Sequence, residues 1–168
     1  IHLVRNFHPE PELEELREKT NQIVWVANIK PLKQPELFIR LADALGRQNI
    51  DAKCIMIGAP TGYPRGYQTA IEERMQDLGN LSYLGRQSQE AVNQIIARSK
   101  LLINTSQWEG FPNTFIQAWM RKTPVISLQC DPDNVIRDHQ CGRISGTIEQ
   151  MISDVVELLG NEEQRSAM

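Results

Sequence analysis

At 168 residues, 40% hydrophobic and 23% charged, the chain has the proportions of one ordinary globular domain, not of a disordered tail or a coiled coil. Its net charge of −3 leaves no broad cationic surface for a nucleic-acid backbone, so an anionic ligand must be met by a few placed cations and backbone amides. The longest apolar run, residues 23–27, is too short to cross a membrane. Cys54, Cys130 and Cys141 have neither the density of a disulfide scaffold nor zinc-site spacing, and read as small buried hydrophobes.

Residues 1–21 hold no apolar run of useful length. Pro9, Pro11 and mixed charges mark a lead-in or interdomain linker, with a short helix expected at 12–19. The chain starts at Ile1 without a Met and so reads as part of a longer protein. From residue 22 to 168 the pattern is that of one domain. Ile23-Val24-Trp25-Val26-Ala27 is unbroken and largely β-branched, as a strand buried on both faces is. Pro35 suits the first turn of a helix whose apolar face is Leu37, Phe38, Leu41, Ala42 and Leu45. Further strands are expected at 53–57, 81–84, 101–105 and 124–128, and helices at 67–78, 89–98, 113–121 and 147–159. This alternation predicts an α/β fold: a Rossmann-like, doubly wound parallel sheet with helices on both faces.

In such a sheet, ligands bind outside the carboxyl ends of the strands. Four loops qualify, at 28–34, 58–66, 85–89 and 106–113. The last is the most informative, running Trp108-Glu109-Gly110-Phe111-Pro112-Asn113-Thr114 and on through Gln117 to Trp119. Gly110 allows close backbone approach, and Pro112, Asn113 and Thr114 read as a helix start whose free amides attract an anion. Helical side chains tilt toward the amino end, which would bring Gln117 and Glu109 to one crevice. A carboxylate there suits sugar hydroxyls, and the amides suit a phosphate.

Glu109-Gly110-Phe111-Pro112-Asn113, Ala118 and Thr123-Pro124-Val125-Ile126 resemble the donor-site signature of the retaining group 1 (family 4) glycosyltransferases, and the likeness runs from about Val4 to Gly142. The resemblance implies the GT-B arrangement, two Rossmann-like domains facing across a cleft. This chain matches the carboxyl-terminal, nucleotide-sugar-binding domain, with the amino-terminal acceptor domain absent from it. Glu109 would hold hydroxyls of the donor sugar, and amides near Gly110 and Phe111 would approach the sugar or its phosphate. The signature has a second glutamate at the ribose; Gln117 stands there instead. Residues 27–33 are similar to the family's Gly-Arg-Leu…Lys stretch, which puts Lys33 against the diphosphate and makes it, with Glu109, the catalytic pair. Asn28 replaces the usual arginine, and Lys30 is expected to supply the missing charge. Leu84-Gly85-Arg86 looks like the segment that meets the nucleobase through backbone groups, so UDP, GDP and ADP stay open; Arg86 and residues 58–62 are candidates for the ligand's edge.

The implied reaction moves a hexosyl-type unit from a nucleotide diphosphate sugar, with retention, to a glycan or lipid-linked acceptor, in glycan or cell-surface polysaccharide biosynthesis. No metal and no further cofactor is implied. The expected location is cytoplasmic, or peripheral at the inner face of a membrane, and the isolated fragment is expected to bind donor weakly and transfer nothing. The rival readings are a non-catalytic nucleotide-sugar-binding or scaffold domain and a GT-B-fold epimerase. His2, His8 and His139 belong to no catalytic pattern, and Asp131-Pro132-Asp133 reads as a turn.

Overall fold

The computed structural model describes residues 18–61 and 64–168. Its strands are β1 (Gln22–Val26), β2 (Lys53–Ile57), β3 (Leu81–Tyr83), β4 (Leu101–Asn104), β5 (Val125–Ser127) and β6 (Gly142–Ile144). They form one parallel sheet in the order β3-β2-β1-β4-β5-β6. The helices are α1 (Pro35–Arg47), α2 (Tyr67–Met75), α3 (Gln89–Arg98), α4 (Asn113–Trp119), α5 (Val135–His139), α6 (Ile148–Gly160) and α7 (Glu162–Ser166).

Alternating side chains divide the core between the two faces of the sheet. Ile23 and Trp25 point to one cluster, with Phe38, Leu41 and Leu45 of α1 and Met151, Val155 and Leu158 of α6. Val24 and Leu102 point to the other, with Val92 and Ile96 of α3 and Phe115 and Ala118 of α4. An apolar run without polar interruption is what burial of β1 on both sides requires. Truncating Leu102, 1% exposed at the centre of the sheet, would cost about 2–5 kcal/mol.

Two side-chain caps start helices where the chain leaves the sheet: Ser88 accepts from the Ala91 amide at 3.2 Å, and Thr147 from the Gln150 amide at 3.2 Å. Three short elements were not expected, namely α5, β6 and α7. The helix starting at Tyr67 ends earlier than expected, at Met75. Most of the helix expected at 12–19, together with Gly62 and Tyr63, lies outside the described residues, and Glu18 and Lys19 are not helical.

The chain runs from β1 outward through β2 to β3, then returns to β4 on the other side of β1. The strand order therefore reverses between β1 and β4. Loops leaving neighbouring strands in opposite directions open a crevice at such a point.

Candidate functional site

The crevice lies at the carboxyl ends of the strands and has a volume of about 660 Å³, in the range of small-molecule sites. Its lining includes Asn28 and Lys33 after β1, Gly58 after β2, Arg86 after β3, Glu109 and Pro112 between β4 and α4, and Asn113 and Thr114 at the start of α4. Gly58 is required by the fold itself: a Cβ there would sit 1.7 Å from the Ala27 carbonyl oxygen, where the ends of β1 and β2 approach. Gly110 differs, since a Cβ there would meet nothing within 4 Å.

Lys33 reaches the crevice because the chain after β1 is folded back and pinned. Pro31–Lys33 form a 3-10 turn, and Gln34 takes a left-handed conformation (φ 46°) before α1 begins at Pro35. Two hydrogen bonds hold this turn to the loop after β4, and a third, from β1, orients Thr105. The Trp25 indole donates to Thr105 Oγ1 at 2.8 Å, the Thr105 hydroxyl donates to the Lys33 carbonyl at 2.7 Å, and the Gln107 amide donates to the Leu32 carbonyl at 3.0 Å. Trp25, 1% exposed, thus packs in the core and also positions the site.

The result is an ion pair between Lys33 Nζ and Glu109 Oε1, with the two side chains 15% and 14% exposed. Ser106 donates its hydroxyl to the same Oε1 at 2.6 Å. Ser106 is itself held by Asn104, whose Oδ1 accepts from the Ser106 amide at 3.2 Å, and the Ser127 hydroxyl reaches that Oδ1 at 3.4 Å. Asn104, Ser106 and Ser127 are all buried. Sequence reading missed them; the available signal was polar residues ending otherwise apolar strands at the ligand-binding edge. Cys130 was read as a buried hydrophobe, and it is buried. It also donates to the Ser106 carbonyl at 3.2 Å, and burial, followed by the charge of Glu109, raises its thiol above the usual range.

Not every expected residue joins them. Gln117 is 7% exposed and donates its amide to Asn93 Oδ1 at 2.9 Å, in the contact between α3 and α4 rather than in the crevice lining. One turn into α4, tilt toward the helix start does not carry the side chain past Asn93. Lys30 precedes the 3-10 turn, half-buried and outside the lining, whereas Arg86 is in it. Gly85 turns the chain after β3 with φ 63°, and its carbonyl is taken by the Gly58 amide at 2.9 Å. The Phe111 ring packs edge-on against Trp119, centroids 6.4 Å apart. No side chain caps α4, whose first residues, Asn113 and Thr114, line the crevice. Trp108 is 70% exposed. Among the described residues no group of three or more His, Cys, Asp or Glu is placed to hold a metal ion, and no helix is long and apolar enough to cross a membrane.

Residues 8–168 match the family described as glycosyl transferases group 1. Over 115 residues the chain is 28% identical to the D-inositol 3-phosphate glycosyltransferase of Mycobacteroides abscessus, covering 67% of this chain and 25% of that protein. The chain thus spans about a quarter of the length of the curated relatives it matches. A TarM variant from S. aureus, solved in complex with Fondaparinux, alpha-GlcNAc-glycerol and UDP, superimposes with a TM-score of 0.77 at 21% identity, over 96% of this chain and 32% of that one. The carboxyl-terminal domain of a group 1 glycosyl transferase (LpcC) from Francisella tularensis gives 0.75 at 16% identity, over 94% and 87%.

Proposed function

We propose, for a chain that belongs to the group 1 glycosyl transferases, that the crevice between β1 and β4 holds the diphosphate and sugar of a nucleotide-sugar donor. The observation that carries this reading is the Lys33–Glu109 pair at the crevice wall. Each partner has the chemistry for one half of the ligand. A lysine presents three donors to a diphosphate, and a carboxylate accepts from sugar hydroxyls. Donor entry would draw Lys33 toward phosphate, while Ser106 keeps hold of Glu109 Oε1 and leaves Oε2 to accept from the sugar. The first residues of uncapped α4 line the same space, and the open position of Gly110 leaves room for backbone approach. Arg86, in the same lining as Lys33, is our choice for the second cation in place of Lys30.

The reaction we infer breaks the bond between the anomeric carbon and the diphosphate oxygen and forms one to an acceptor oxygen, which gives up its proton. Configuration is retained, and the unit transferred is of hexosyl type. Negative charge grows on the departing diphosphate, and Lys33 with the α4 amides would stabilise it. Among the described residues the carboxylate of the crevice lining, Glu109, is engaged by Lys33 and Ser106, and we assign no nucleophile of the enzyme's own. Acceptor groups, whether glycan or lipid-linked, belong to the rest of the protein. UDP is the first donor nucleotide to test, because the TarM structure contains it.

The test is thermal unfolding and transfer by the whole protein with UDP, GDP and ADP sugars. One nucleotide sugar is expected to stabilise the protein in a concentration-dependent way and to support transfer. Stabilisation by none of them would leave a scaffold domain, while binding with interconversion of the sugar and no transfer would identify an epimerase.

A further inference from the structure

A second cavity lies at the opposite, amino-terminal edge of the sheet. Its volume is about 840 Å³, and it is bounded by the starts of β4, β5 and β6 and by α7. Among the described residues its lining carries five cations, Lys19, Lys100, Arg121, Lys122 and Arg165, against two carboxylates, Glu18 and Glu162. Leaving out Arg121, which has further interactions, four cations still face those two carboxylates, in a chain whose net charge is −3.

Two of the cations converge, and Lys19 lines the same cavity. Lys100 Nζ and Arg165 Nη1 donate to the same carbonyl oxygen, that of Leu159, at 3.2 and 3.1 Å. Lys100 also donates to Asn21 Oδ1 at 2.9 Å, and Arg165 to the Leu158 carbonyl. Lys19 donates to the Arg121 carbonyl at 2.8 Å and to the Thr123 hydroxyl. These acceptors are all neutral. The negative end of α6 explains why Lys100 and Arg165 gather at its last carbonyls, but that end amounts to roughly half a charge. It accounts neither for Lys19 nor for the space between the groups. Burial pushes Lys19 down to about 8, with Arg165 adding to the effect, and Lys100 is lowered by the same two causes against the opposing charge of Glu162. Lys19, Lys100 and Arg165 are thus crowded, with the Glu162 carboxylate near Lys100 and Arg165 but hydrogen-bonded to neither, and each ammonium, with two donors in use, retains a third.

We propose that this basal cavity is a second anion site, distinct from the crevice, that takes a phosphate group between Lys19, Lys100 and Arg165. One planar guanidinium and two flexible ammonium groups in one cavity fit a tetrahedral oxyanion better than a flat ring or an apolar chain. The phosphate can come from a free ion or ester in solution or from a lipid headgroup.

Calorimetric titration of the whole protein with inorganic phosphate tests the site, with Lys33→Ala reporting on the crevice. Saturable binding is expected to survive Lys33→Ala and to weaken at least about tenfold in Lys100→Gln and in Arg165→Gln. Both variants also remove a contact to α6. Lys122→Glu, at an exposed position of the same cavity, therefore serves as the variant least able to disturb folding, and it should weaken phosphate by repulsion. At pH 8.5 binding should take up protons in the wild type and less in Lys19→Gln. Among the described residues the other charged or titratable groups facing the cavity are Arg121, Lys122, Glu18, Glu162 and the Cys141 thiol. Sedimentation with phosphatidic acid vesicles against phosphatidylcholine separates the sources. Phosphate binding without vesicle binding assigns a soluble ligand; binding to both, lost together in Arg165→Gln, assigns a headgroup. Absence of saturable phosphate binding, or its loss in Lys33→Ala but not in Arg165→Gln, overturns the proposal.

Discussion

At the carboxyl edge of the sheet Lys33 meets a carboxylate, Glu109; at the amino edge Lys19, Lys100 and Arg165 meet carbonyls, an amide oxygen and a hydroxyl. Both sets of cations are partly withdrawn from water. In the crevice, attraction between opposite charges offsets the cost of that withdrawal. In the basal cavity, among the described residues, the side-chain hydrogen bonds of Lys19, Lys100 and Arg165 go to neutral acceptors, and the protonated lysines are disfavoured. The difference separates two ways of receiving an anion. The crevice has its charge balanced before the ligand arrives, so a donor must exchange partners with Glu109. The basal cavity needs no exchange, only the supply of the missing charge.

Glu109→Gln breaks this contrast most severely, because it leaves Lys33 in the position of the basal cations. Glutamine keeps a carbonyl oxygen for Ser106, so the fold should survive with a modest loss in Tm. Transfer by the whole protein should fall at least about 100-fold, the scale seen when a group that stabilises the reacting state is removed. A kcat/KM within threefold of wild type would remove Glu109 from the sugar site. Lys33→Ala comes next. A charge-assisted hydrogen bond contributes about 1.5–3 kcal/mol, so affinity for the preferred nucleotide diphosphate should drop roughly tenfold or more in calorimetry. Equal loss in Lys30→Ala would return the second cationic role from Arg86 to Lys30.

Most of this architecture was legible in the residues. β1 and β4 are apolar at every position but their ends, so their burial on both faces follows directly, and the loops that leave them carry Lys33 and Glu109. What escaped notice is what depends on contacts distant in sequence. β6 has three residues, starts with glycine and is recognisable only by pairing with β5; a Cβ on Gly142 would sit 1.9 Å from the Val125 carbonyl oxygen. Gln117 obeys the helical period, but its partner Asn93 lies 24 residues away on another helix. The basal cations are scattered from Lys19 to Arg165, and no local pattern could gather them.

Ser106→Ala sharpens the contrast on a smaller scale. Ser106 keeps one carboxylate oxygen of Glu109 fixed whether or not Lys33 has left it. Its removal should leave affinity for the bare nucleotide diphosphate unchanged and reduce the extra affinity conferred by the attached sugar, by roughly three- to tenfold. Equal losses for nucleotide and nucleotide sugar would mean that Ser106 supports the loop as a whole.

The last expected effect lies at the other edge and concerns pH. Lys19 titrates at about 8 in the folded chain, below its ordinary 10.5. Between those values the unfolded chain binds the proton more tightly, so the Lys19 contribution to stability rises as pH increases through this window. Cys54 acts in the opposite sense. Burial pushes its thiol up to about 12, so from about 9 upward the unfolded chain loses that proton first and stability falls. A bare stability curve would therefore mix the two. Subtracting the curve of Lys19→Gln from that of the wild type cancels the thiol, and the difference should climb from pH 7.5 to about 9.5 in a phosphate-free buffer. Saturating inorganic phosphate should flatten that climb, because an anion beside Lys19 restores its preference for the charged form. A difference that is flat without phosphate would mean that the basal cations are not short of counter-charge at all.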